Sequence, residues 1–138
     1  MRRIISTLCA TALAMTVVFA SAAPASADGT GCAWSHGIGG STCLGVSGDS
    51  LYVWSGRVSH GDGTGGANIC GFKARVSGTY LSGSSYSKTS GFVSGCSPVS
   101  AYIDISVQNY FKDRTYFKGR FYHAGAWVPG TPQVMIRS

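Results

Sequence analysis

The longest regular pattern in the sequence is AYIDISVQNYFKDRTYFKGRFYH, which runs from Ala101 to His123. Apolar and polar residues alternate in it with a period of two, which is typical of β-strands that have one buried face. The side chains expected to face inward are Ala101, Ile103, Ile105 and Val107, then Phe117, Gly119, Phe121 and His123. We predict two strands joined as a β-hairpin across residues 112–114. Their register is specified because a slip of one residue would bury lysine and arginine.

The outward row of the second strand combines aromatic and basic side chains. Its members are Tyr116, Lys118, Arg120 and Tyr122. In a strand these side chains line up over about 20 Å on one side, and Tyr and Arg are the residue types in which binding energy concentrates at protein interfaces. We predict that the four residues form part of a binding surface. The other interpretation is a solvated face on which long stems cover apolar neighbours.

Shorter patterns predict further strands. Leu51 to Val58 is apolar on both faces, which favours a central position in a sheet. From Cys70 to Tyr80, an inward row alternates with outward Lys73, Arg75 and Ser77, so this strand has a basic outer face. The inward row consists of Cys70, Phe72, Ala74 and Val76. Most of the segment from Asp28 to Ser50 is expected to be turn, with Leu44 to Val46 as a possible short strand. A short polar strand is expected within residues 82–91, Ala124-Gly125 is a turn after the long pattern, and Val134 to Ile136 is a final strand.

The first 27 residues have the pattern of a secretory signal peptide. Arg2 and Arg3 precede an apolar run, and Ala25-Ser26-Ala27 ends the segment. We predict a mature, secreted protein that begins at Asp28 and consists of one domain over residues 28–138. No later stretch approaches the roughly 20 apolar residues that a membrane helix needs.

Composition places the mature part in the all-β class. All 20 glycines lie there, Glu is absent from the chain, and only three leucines follow the signal peptide. Such a chain is poor in helix formers and rich in turn and strand residues. We predict a small antiparallel β-sandwich, or a partly closed barrel, of about seven strands. Nine basic against five acidic residues leave a net charge of +4, far below that of a dedicated nucleic-acid binder.

Four cysteines follow the signal peptide, which suggests two disulfides in an exported chain. We predict the pairs Cys32–Cys43 and Cys70–Cys96, because sequential pairing closes the shortest loops. Each bridge of this size is worth on the order of 3 kcal/mol. No Cys-x-x-Cys spacing occurs, so no metal site is predicted. Trp34, two residues after the first cysteine, is expected to pack over its disulfide.

No motif in the sequence identifies a reaction or a cofactor. The glycine-rich segment from His60 to Gly66 lacks the Lys-Ser/Thr ending of a phosphate loop, and its single Asp cannot supply the ligands of a calcium loop. A flexible connection is therefore expected there. No Gly-x-Ser-x-Gly turn accompanies the three histidines and five aspartates, and the absence of Glu excludes ribonucleases that pair a Glu base with a His acid. We predict no catalytic residues.

Two classes of function remain. The first is a secreted protein-binding module, either an inhibitor or an adaptor subunit of an extracellular complex. The second is a module that binds glycan or cell envelope, with an antimicrobial role as a variant, and a small hydrolase ranks below both. Seven tyrosines and few acids favour the first class, because glycan sites need exposed rings beside carboxylates or amides.

In size, export signal and two-disulfide β architecture, the chain is similar to secreted sandwich proteins of high-GC bacteria, such as the subtilisin-inhibitor and enediyne-apoprotein types. This resemblance implies an extracellular bacterial protein. It implies no site residues.

Overall fold

A computed structural model describes residues 27–36, 39–63 and 65–138. These ranges contain ten strands and no helix. The strands are β1 (Gly29–Trp34), β2 (Ser41–Asp49), β3 (Tyr52–Gly61), β4 (Asn68–Thr79), β5 (Ser85–Thr89), β6 (Val93–Pro98), β7 (Ser100–Tyr110), β8 (Thr115–His123), β9 (Ala126–Trp127) and β10 (Gln133–Ile136). Residues 1–26 of the predicted signal peptide lie outside the described ranges, so the predicted cleavage before Asp28 stays a prediction.

The strands form two antiparallel sheets that pack face to face. The first sheet has the order β1-β2-β3-β7, and the second has the order β10-β8-β4-β5. Two short strands extend the second sheet, since β6 pairs with β4 and β9 pairs with β8. The prediction of a small all-β protein with two disulfides is confirmed, in the form of two sheets that include a curled half-barrel. Within the described residues there are ten strands where about seven were predicted, because the sequence patterns missed β1, β6 and β9.

The predicted hairpin is wrong. β7 pairs with β3 in the first sheet, whereas β8 pairs with β4 and β10 in the second. The chain crosses between the sheets at the buried Phe111, whose N–H donates to the carbonyl oxygen of Leu51, while the N–H of Lys112 donates to that of Thr79. Two strands that each carry one apolar row can cover both rows when they lie in opposite sheets of a sandwich, as β7 does against β4 and β8 does against β3. Side by side, they would leave one wide apolar face for another element to cover.

The two inward rows are predicted correctly even though the hairpin is not. Ala101, Ile105 and Val107 are buried from the first sheet, and Phe117 and Phe121 are fully buried from the second. The rings of Phe111 and Phe117 meet edge to face with centroids 5.0 Å apart, an arrangement that adds to the stabilisation from area burial. The opposite rows of both strands must therefore face outward.

Both predicted disulfides are confirmed. Cys32 lies directly opposite Cys43 in the β1–β2 pair, and Cys70 lies opposite Cys96 in the β4–β6 pair. Cys70 is exposed, however, and not inward as the alternation indicates. The register shifts between Cys70 and Phe72 because Gly71 adopts a φ of +61°, so this β-bulge inserts an extra residue into the row.

The segment predicted as mostly turn instead holds two strands, β1 and β2, and the possible strand at Leu44 to Val46 is the middle of β2. β1 is rich in glycine because its backbone lies against β10 at the edge where the two sheets meet. A Cβ atom on Gly31 would collide with the backbone of Gln133, and one on Gly29 would lie 2.7 Å from a methyl carbon of Val134. Glycine here permits a close approach of two backbones. A cluster of glycines therefore indicates a strand in close contact as well as it indicates a turn.

Replacement of Phe121 by Ala tests this core. Its ring is fully buried and stacks between His60 and Phe72, at centroid distances of 5.5 and 5.6 Å. We expect Phe121→Ala to lower the free energy of unfolding by about 3–5 kcal/mol, measured by urea denaturation. Tyr116→Ala, on the outward row of the same strand, should cost less than about 1 kcal/mol. Equal losses in the two variants would contradict the assignment of the rows.

Candidate functional site

The predicted binding residues of β8 lie on the outer face of the second sheet. Register places them against residues of three neighbouring strands. The cross-strand pairs are Tyr122 with Lys73, Arg120 with Arg75, Lys118 with Ser77, Tyr116 with Met135, and Tyr122 with Trp127. We call the group Lys73, Arg75, Tyr116, Lys118, Arg120, Tyr122 and Trp127 the basic face. The structure thus brings the four predicted residues together and adds three more.

Trp127 is the centre of the basic face. The guanidinium carbons of Arg75 and Arg120 lie 4.6 and 5.4 Å from the centroid of its indole ring, and Nζ of Lys73 lies 5.7 Å from it. The ring of Tyr122 meets the indole edge to face at 5.4 Å and has the same Nζ 4.6 Å from its own centroid. We call Lys73, Arg75, Arg120, Tyr122 and Trp127 the Trp127 cluster. Contacts of this kind attract a cation to an aromatic ring by about 0.5–2 kcal/mol each.

The positive charges of the cluster repel one another. Arg75 and Arg120 are direct cross-strand partners, and like charges in this position are destabilising. Nε of Arg75 donates to the Thr89 hydroxyl at 3.0 Å. Nε of Arg120 is buried and has no hydrogen-bond partner among the described residues. The indole ring therefore holds two guanidinium groups together that would otherwise separate.

Charge is segregated between the two sheets. The strands of the second sheet carry five lysines and arginines and no acidic residue. These cations are Lys73, Arg75, Lys88, Lys118 and Arg120. The five aspartates of the chain lie in the first sheet or outside the strands, at positions 28, 49, 62, 104 and 113. No ion pair within residues 27–36, 39–63 and 65–138 therefore neutralises the basic face.

The outer face of the first sheet shows the opposite arrangement. Arg57 donates from Nε and Nη2 to the two carboxylate oxygens of Asp104, at 2.7 and 2.8 Å, and lies 4.6 Å from the ring centroid of Tyr102. The hydrogen bond from Arg57 lowers the pKa of the Asp104 carboxyl group, and the carboxylate raises the pKa of Arg57 in turn. Here a cation packed on a tyrosine is neutralised by its neighbour.

A hydroxyl–imidazole pair in the core resembles catalytic machinery but is closed to solvent. Oγ1 of Thr42 and Nδ1 of His60 are hydrogen-bonded at 3.0 Å, and the two residues are 0% and 1% exposed. His60 belongs to β3 and not to a loop, and its ring centroid lies 5.9 Å from that of His123. The Thr42–His60 pair links two strands of the first sheet and, being buried, cannot reach a substrate. The described residues include no cluster of three or more His, Cys, Asp or Glu that could hold a metal ion.

Trp34 is not buried against its disulfide, where it was predicted to pack. It is 72% exposed and lies on the outward row of β1, on the same side as Cys32. The inner face of β1 is instead filled by glycines packed against β10, so the core has no space for the indole ring. Trp34 and Trp54, which is 51% exposed, both lie in the first sheet, away from the basic face.

No protein-family model, no curated protein and no solved structure matches this chain. The described residues also contain no helix that is long and apolar enough to cross a membrane.

Sequence reasoning missed Trp127, the residue on which the basic face is centred. Its strand, β9, has two residues, too few for periodicity to detect. The signal that could have found it is the predicted turn at Ala124-Gly125. Both turn residues have positive φ, 52° and 81°, as in the tight turns that join hairpin strands. Such a turn places Trp127 opposite Tyr122.

The buried His60 predicts that stability depends on pH. Burial, and secondarily the positive charge of His123, lower the pKa of His60 below 6.5. The unfolded chain then binds a proton more readily than the folded one, so stability is full above the unfolded pKa and falls as pH drops toward the folded value. Between about pH 7.5 and pH 5.0 we therefore expect the melting temperature to fall, measured by thermal denaturation at a series of pH values.

His60→Gln is the control for this prediction, because it can keep the hydrogen bond to Thr42 without titrating. Its melting temperature should vary less across the same pH range. The Asp104 carboxyl, with a pKa below 3.8, stays ionised throughout. A wild-type decrease that persists at full size in His60→Gln would show that another group is responsible.

Proposed function

We propose that this chain is a secreted, non-enzymatic protein-binding module, an inhibitor or an adaptor subunit of an extracellular complex, and that it binds its partner through the basic face. The observation that supports this most is the Trp127 cluster. Three cations converge on one indole ring, with no acidic side chain in the strands of that sheet. Such a surface carries positive charge that no side chain of its own sheet neutralises, and an acidic partner would neutralise it.

The residue types of the basic face suit protein recognition. Tyr, Trp and Arg are the side chains that most often contribute large binding energies at interfaces. Here the rings and guanidinium groups already hold one another in place, so less side-chain freedom is lost on binding. Tyr116, 43% exposed, extends the surface along β8 beyond the cluster.

Secretion is supported by two observations. The two disulfides fit an oxidising compartment, since such bonds rarely persist in the cytosol. The amino-terminal sequence has the charged, apolar and small-residue regions of a signal peptide. A partner of the proposed kind would therefore be another extracellular protein.

Glycan binding is a second candidate because of a groove on the outer face of the first sheet. The groove has a volume of about 680 Å³ and a floor of small residues, including Gly45, Ser47 and Ser55. Arg57 and Asp104 line it, and the exposed ring of Tyr102 packs on Arg57. Rings beside carboxylates are typical of glycan sites. Both charged residues are already paired with each other, so the basic face is the stronger candidate.

A capture experiment with matched variants tests the proposal. The mature protein is immobilised and exposed to the culture supernatant of its producer, and the bound proteins are identified by mass spectrometry. Arg120→Ala/Tyr122→Ala should reduce recovery of a specific partner at least tenfold, because it removes two interface side chains. Its melting temperature should stay close to that of the wild type, since neither side chain is part of the core.

The control is Arg57→Ala/Tyr102→Ala, which removes the same two residue types from the opposite face. This variant should capture the partner as well as the wild type does. If the Arg120/Tyr122 variant retains full capture, the basic face is not the binding surface. If only the Arg57/Tyr102 variant loses capture, and free sugar releases the bound material, glycan binding replaces protein binding as the function.

A further inference from the structure

We infer that the Trp127 cluster is a carboxylate receptor, which takes an Asp or Glu side chain from an acidic segment of the partner between Arg75 and Arg120. This inference rests on the proposed function, because it names the chemical group by which the basic face recognises a protein.

The geometry converges two guanidinium groups on one small area. Arg75 and Arg120 are cross-strand neighbours, on strands that lie about 4.8 Å apart. Their guanidinium carbons lie 4.6 and 5.4 Å from the centroid of the same indole ring. Both planar donor groups are thus held beside Trp127, on the outward face of the second sheet.

The cluster has unneutralised positive charge and unused hydrogen-bond donors. Arg75 uses one of its five N–H donors on a neutral hydroxyl, that of Thr89. Nε of Arg120 is buried without a partner among the described residues, so a carboxylate would reach this residue through its terminal guanidinium nitrogens. A carboxylate accepts two parallel N–H bonds from a guanidinium group, which makes such pairs both strong and directional. Bound there, it would also offset the repulsion between the two arginines.

The surroundings favour an acidic peptide over a polyanionic chain. The cations form a compact group around one ring, and the net charge of +4 for residues 28–138 is modest. Surfaces that follow a nucleic acid or a sulfated polysaccharide usually spread more charge along a stripe. The rings of Tyr116 and Tyr122 on the same row of β8 offer apolar contact to peptide beside the charged group.

Fluorescence of Trp127 tests the inference directly. Trp34 and Trp54 are exposed, so Trp34→Phe/Trp54→Phe leaves Trp127 as the single indole of the mature protein with little disturbance of the fold. We expect a capped hexaglutamate peptide to change its emission saturably. A capped hexaglutamine peptide at the same ionic strength should bind at least tenfold more weakly.

In the same background, Arg75→Gln/Arg120→Gln should weaken hexaglutamate binding at least tenfold. Arg57→Gln/Lys112→Gln removes the same charge from other surfaces and should change binding less than twofold. The melting temperature shows that the first variant is folded: at low salt it should equal or exceed that of the parent, because a like-charge pair is removed. A purely structural role for the two arginines would lower it.

Three results would overturn the inference: equal binding of hexaglutamate and hexaglutamine, full binding by the Arg75/Arg120 variant, or binding of dextran sulfate through these arginines without binding of hexaglutamate. The last would make the ligand a sulfated polysaccharide.

These outcomes are separable from the capture experiment. A partner that depends on Arg120 and Tyr122, together with no hexaglutamate binding, would leave the proposed function standing while the carboxylate receptor fails. Hexaglutamate binding without any captured partner would support the carboxylate receptor and count against the proposed function.

Discussion

The structure depends on one constraint: two strands with one apolar row each must cover those rows. They do so by lying in opposite sheets, where β7 packs across the core against β4, and β8 packs against β3. Phe111, at the crossing from β7 to β8, anchors the connection with a fully buried ring. Once Phe117 and Phe121 point inward, Lys118 and Arg120 can only point outward. The surface that we propose for recognition is therefore the reverse side of the packing that folds the protein.

Sheet pairing then concentrates charge. Because β8 lies beside β4, two outward rows that are each moderately basic become one surface, with Arg75 opposite Arg120. The first sheet avoids this situation by pairing Arg57 with Asp104. In the second sheet an aromatic ring, not a carboxylate, accommodates the cations. An indole ring reduces the cost of bringing cations together but does not neutralise them, so the surface keeps its attraction for an anionic partner.

The sequence predicts which face of a strand is buried better than it predicts which strands pair with each other. Alternation indicated correctly that Phe121 is buried and Arg120 is not, and the short loops between cysteines indicated the right disulfides. Alternation does not indicate which strand lies beside a given strand. The hairpin prediction failed for that reason, and the contact of Lys73 with Tyr122 could not be predicted. The glycines of β1 led to the wrong prediction of a turn, because in the structure they permit a close approach of the β1 and β10 backbones. Trp127 was missed because a strand of two residues has no period.

Amide hydrogen exchange of the protein, alone and in complex with its captured partner, tests the central claim most directly, because it locates the partner without any substitution. We predict that added protection is confined to β4, β8 and β9, the strands that carry the Trp127 cluster. The amides of β3 and β7, on the other side of the core, should exchange as they do in the free protein. Added protection centred on β3 and β7, with none on β8 or β9, would contradict the claim that the basic face is the binding surface.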